Sequence, residues 1–186
     1  MATAFQRGRD GCVHAHFEAK EISLLVVLAE QLSEIVGPER KPTAAADDFE
    51  SIIAGLAVEV TRPTGDPVYD RLFPRVHAED ADIADEFDRA ALESLRSGRA
   101  ARTAAFLQQV RMSDGEVVLS AEEAHAWLTV LTDVRLMIGT SIGIREDDPR
   151  RAEESADVAE HEALYLSVYD WLSWLQESLV ACFLRP

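Results

Sequence analysis

The sequence predicts a mainly α-helical fold: one bundle domain over residues 1–186, with a short N-terminal β-hairpin and one further short strand. Three observations predict it. Apolar residues recur every three or four positions through most of the chain, as in helices that bury one face. Hydrophobic residues make up 47%, with only nine Gly and seven Pro, enough apolar material for a full core and few breakers. Strict alternation occurs near the N-terminus, where Val13, Ala15 and Phe17 share one side of an extended segment and His14 and His16 the other.

The elements follow in order. Arg9-Asp10-Gly11 supplies a three-residue loop with Gly11 at positive φ, which gives a hairpin from Ala4 to Phe17 and sets Phe5 opposite Ala15. Residues 1–18 are therefore the β element. From Lys20 the period changes. Ile22, Leu25, Ala29, Leu32 and Val36 form a helical stripe, ended by Gly37-Pro38. Residues 38–48 read as an exposed loop and Phe49 to Val60 as a short helix. Asp66-Pro67 restarts the chain as N-cap and first residue of a helix through Leu72. A long polar helix runs from Glu79 to Met112, its stripe marked by Ile83, Phe87, Ala91, Leu95, Phe106, Leu107 and Val110, with Gly98 as a candidate bend. Glu116 to Leu119 is the extra strand. Ser120 and Glu123 form a capping box for a helix carrying Ala124, Trp127, Leu128, Leu131, Val134, Leu136 and Ile138. After a polar loop at 145–155, the last helix, Ala156 to Leu184, carries Leu164, Val168, Leu172, Leu175, Leu179 and Phe183.

Eighteen Lys and Arg face 34 Asp and Glu, a net charge of −16. Counterion release needs clustered cations, so no direct nucleic-acid partner and no anionic membrane are expected. No basic N-terminal segment leads into an apolar run, so secretion is not expected. The last helix is interrupted by Ser167, Asp170, Ser173, Gln176, Glu177 and Ser178, which argues against a membrane span.

Candidate chemistry is sparse. Cys12 and Cys182 lie at opposite ends of the sequence and form no C-x-x-C. They are the candidate redox residues, Cys12 on the polar side of its strand and Cys182 in an apolar helix. His14-x-His16 has strand spacing for two imidazoles, but Cys12 and His16 would stand roughly 13 Å apart. Glu122-x-x-His125 has di-iron spacing without the second such pair those sites need. Gly139 to Gly143 lacks the Lys-Ser/Thr of a P-loop; close helix packing at Gly139 and a cap at Gly143 explain it. No metal, cofactor or catalytic residue is expected, and the chain reads as non-enzymatic.

Two features address partners. Arg96, Arg99 and Arg102 step along the long helix near Arg89 as a candidate contact for an anion or acidic partner, or as ion pairs with carboxylates of the same helix. In the last helix Tyr165, Tyr169, Trp171 and Trp174 fall partly outside the Leu stripe, a candidate interface with a protein partner or, as a homodimer, with a second copy. The alternative is a small-molecule- or metal-binding helical protein, perhaps an enzyme, with a polar site near Asp133, Arg135, Thr140 and Arg145.

Three stretches carry a resemblance: Asp66-Pro67-Val68-Tyr69-Asp70-Arg71-Leu72-Phe73-Pro74, then the segment Trp127 to Thr140 (WLTVLTDVRLMIGT), then Tyr169-Asp170-Trp171-Leu172. In order and spacing they resemble the actinobacterial AosR family of oxidative-stress regulators, formerly a domain of unknown function. The resemblance spans nearly the whole chain, and the middle segment is its most specific part. It implies a cytoplasmic protein in redox-responsive control of transcription, acting with an alternative sigma factor or other transcription component on sulfur-metabolism genes. The acidic surface would direct such a role through a protein partner rather than through groove reading.

Overall fold

The computed structural model describes residues 3–37, 66–74, 81–142 and 160–184, with backbone alone at 81–91 and 160–162. The elements are β1 (Thr3–Arg7), β2 (Val13–His16), α1 (Ala19–Val36), α2 (Pro67–Leu72), α3 (Ala81–Met112), β3 (Glu116–Leu119), α4 (Ala121–Ser141) and α5 (Glu160–Leu184). The fold is mainly helical, with a small antiparallel sheet in the order β1-β2-β3. The expected helix at 49–60 and the expected loops at 38–48 and 145–155 lie outside the described residues.

The hairpin closes as its loop chemistry requires. The Gly8 amide donates to the Cys12 carbonyl at 2.8 Å, and Gly11 takes a φ of 83°, open to a residue without Cβ. Gln6 pairs with His14 and Arg7 with Val13, but the ladder shifts between Thr3 and Gln6. Phe5 and Ala15 thus share the buried face without forming the expected ladder pair. β3 completes the sheet by setting Leu119 opposite Val13 and Val117 opposite Ala15. All four are buried, because a common register in period-2 strands puts like faces together.

Trp127, near the start of α4, is the centre onto which this face packs. Its ring lies 5.9 Å from Phe5, 6.2 Å from Phe17 and 4.3 Å from Phe106, centroid to centroid. Its indole N–H donates to Gln109 Oε1 at 2.7 Å, so the buried aromatic leaves no orphan donor. The expected capping box holds: Glu123 accepts from the Ser120 amide at 2.8 Å, and the Ser120 hydroxyl accepts from the Glu123 amide. α5 lies along β1, where Ser178 Oγ accepts from the Phe5 amide at 3.1 Å.

Three helical faces differ from the expected stripes. In α1 the buried set also includes Leu28 and Ile35. In α5 Cys182 is buried, and Phe183 instead packs against the His125 ring at 4.2 Å. α3 starts at Ala81 and runs unbroken through Gly98. Its Leu95 is 51% exposed, while Leu92, Thr103, Phe106 and Val110 pack inward. Positions 92, 99, 103, 106 and 110 share one helical face, and Leu95 lies at its edge. Among the described residues no helix is long and apolar enough to cross a membrane.

Candidate functional site

The inward phase of α3 decides what the arginine row does. Arg99 projects from the buried face and donates to the carboxylate of Asp133 in α4, which is 3% exposed. The same guanidinium lies 5.6 Å from the Phe73 ring centroid. Burial pushes the Asp133 carboxyl above its ordinary value, against the pull of the Arg99 hydrogen bond and the charges of Arg99 and Arg102. Arg96 donates from Nη2 to Gly37 O at 2.9 Å and from Nε to Val36 O at 3.3 Å, supplying a cation and donors to the end of α1. Arg99 thus pairs with a carboxylate of α4, and Arg96 binds backbone carbonyls at the end of α1; neither of these bonds is to a carboxylate of their own helix. The side chain of Arg89 lies outside the described residues.

A second polar group joins α4 to α5. Arg135 donates to Gln176 Oε1 and, at 3.1 Å, to the Tyr169 hydroxyl. Its guanidinium carbon stands 4.9 Å from the Tyr169 ring centroid. Gln176 Nε2 in turn donates to Thr132 Oγ1 at 2.7 Å. Beside this group is a cavity of about 140 Å³, walled by Arg71 of α2, by Thr132, Arg135, Gly139 and Thr140 of α4, and by Tyr169 of α5. Of the four residues expected to form a polar site, Arg135 and Thr140 therefore meet. Asp133 is committed to Arg99, and Arg145 lies outside the described residues. Arg71 and Gln176 were missed. Both were visible as polar residues, Arg71 beside Asp70 in the short helix and Gln176 as an interruption of the apolar last one, but neither signal says where a side chain reaches.

The thiols come to one region of the fold through the hairpin. Cys12 is half-buried and Cys182 buried, both free. Arg7 of β1 donates from Nη1 to the Cys182 carbonyl at 3.4 Å, one position from the Gly8 that bonds Cys12. The Cys182 Sγ itself donates to Ser178 O at 3.4 Å. The three histidines whose side chains are described, His14, His16 and His125, are each engaged. His14 Nε2 donates to Asp10 at 3.0 Å and holds that carboxyl below its ordinary value. His16 bonds Glu116 at 2.8 Å, and His125 donates to Ala121 O at 2.7 Å. No cluster of three or more metal-ligating side chains occurs among the described residues. Along α5, Tyr165, Tyr169 and Trp171 are half-buried against the core, with burial raising the Tyr165 phenol. Trp174 is 40% exposed.

The chain matches the family model described as a domain of unknown function, DUF2017, over residues 2–183. It is similar to the AosR protein of Mycobacterium leprae, at 31% identity over 175 residues, 86% of this chain and 77% of that relative. It is equally similar to the oxidative stress regulator AosR of Mycobacterium tuberculosis strain H37Rv and to that of Mycobacterium bovis, each 31% identical over 174 residues, with the same shares covered. No solved structure matches the chain. The chain belongs to the DUF2017 family, which these AosR proteins represent.

Proposed function

From that membership we propose that the chain is a non-enzymatic regulatory protein of the oxidative-stress response, acting in the cytoplasm by binding a protein partner. The observation that carries this reading is its likeness to oxidative stress regulators over most of both chains. The charge of −16 supports a protein rather than a nucleic acid as that partner, since a phosphate backbone would repel such a surface. The partner is a transcription component, with an alternative sigma factor first among them. Contact runs through the outer side of α5, where Trp174 is the most exposed of the four candidate aromatics and the type of residue that anchors interfaces. A second copy of the chain is the other occupant of that face, and light scattering distinguishes the two.

Redox input enters at Cys12, the more accessible thiol, with Cys182 behind Arg7 at the neighbouring end of α5. Thiol mapping by mass spectrometry, with and without peroxide, tests this input. Modification of Cys12 ahead of Cys182 is expected; two thiols left unmodified and unpaired would overturn it.

A further inference from the structure

The cavity between α2, α4 and α5 is an exception in an acidic molecule. Two guanidinium groups, Arg71 and Arg135, line it, and no carboxylate does so among the described residues. Arg135 is fixed: its bonds to Gln176 and Tyr169 and its stacking on the Tyr169 ring hold the guanidinium plane. A guanidinium carries five N–H donors, and these two bonds leave Arg135 with N–H groups to spare at a wall of the cavity. Arg71, on an exposed turn of α2, has no ion pair among the described residues. The hydroxyls of Thr132 and Thr140 donate to Leu128 O and Leu136 O, each at 2.7 Å, which leaves their oxygens to accept, although Thr132 already takes one bond from Gln176 Nε2.

The geometry points to a binding site for a small tetrahedral oxyanion of the hydrogen-phosphate kind, clamped between Arg71 and Arg135. Guanidinium groups from two separate helices approach a ligand from different directions, which suits oxygens arranged around a centre better than the single edge of a carboxylate. The threonine oxygens match a protonated oxygen, which monohydrogen phosphate carries. A volume of about 140 Å³ admits such an ion with a water or two, given about 30 Å³ per water in the liquid. Arg71 closes the site from the surface, and Arg135 forms its floor. This site is independent of the regulatory reading above.

Isothermal titration calorimetry of the full chain with inorganic phosphate, at ionic strength held constant with sodium chloride, tests it. Saturable binding of one phosphate per chain is expected, weakened at least tenfold in Arg71→Gln. Because Arg71 is exposed and makes no hydrogen bond or ion pair among the described residues, circular dichroism and melting temperature of that variant should match the wild type. Thr140→Val should weaken phosphate severalfold as well. Acetate is the comparison probe and should bind at least tenfold more weakly. Absence of saturable phosphate binding, equal binding by Arg71→Gln, or acetate binding as tightly as phosphate would each overturn the proposal.

Discussion

Asp133 carries the sharpest consequences at the scale of one residue. It is buried and charged, and a single guanidinium answers it. Removing one member of such a pair costs about 3–5 kcal/mol, because the other is left desolvated and unpaired. Arg99→Met should therefore lose about that much in urea denaturation at neutral pH, and the double variant Arg99→Met/Asp133→Leu should recover most of the loss. A double variant no more stable than the single one would show that the pair is not the source. The ionisation adds a sign. The folded-state value lies above the ordinary 3.8, so the folded chain holds this proton more tightly than the unfolded one. That contribution is whole below about 3.8 and is lost as pH rises through the folded value. Measured against Asp133→Asn, the wild type should lose unfolding free energy as pH rises from about 4 toward neutrality. A difference that stays flat, or that grows with pH, would contradict the burial argument.

Elements divide between those that local pattern specifies and those it does not. The start of α4 was legible because Ser120 and Glu123 form a local reciprocal cap; Ser120→Ala should cost about 1 kcal/mol by thermal or chemical unfolding. The start of α2 was legible for the same reason, Asp66 accepting from the Val68 amide at 2.8 Å ahead of Pro67. The hairpin loop was legible in Gly11, while the shift of β1 was not, since it follows from packing Phe5 against Phe17 and Trp127. The phase of α3 was misjudged at Leu95. Leu95 and Arg99 stand four positions apart on one side of the helix, and since arginine stems are long enough to lie across apolar surface, periodicity does not say which of the two is covered. Asp133 decides it from another helix.

At the scale of the whole molecule, the partnership of β2 with β3 and of Arg135 with Gln176 joins segments far apart in sequence, and no periodicity reports such contacts. The helical class, the extra strand and the family were all visible nonetheless, because each rests on composition, period or contiguous motif. The acidic composition and the half-buried Arg96 and Arg99 describe one arrangement: these two cations tie α3 to the neighbouring helices, while carboxylates dominate the charge of the chain. Such a charge favours basic protein partners and opposes nucleic acid. Light scattering at high micromolar concentration should read either 20.6 kDa or twice that. The doubled mass would assign the α5 face to a second copy, and should revert in Trp174→Ser.

The proposed regulatory role requires this chain to bind a component of transcription. Affinity capture of the tagged chain from its own cells, before and after peroxide, followed by mass spectrometry of the eluate, tests it most directly. Recovery of a sigma factor or an RNA polymerase subunit is expected, in an amount that changes with peroxide and falls with Trp174→Ser. Recovery of no transcription component under either condition would contradict it.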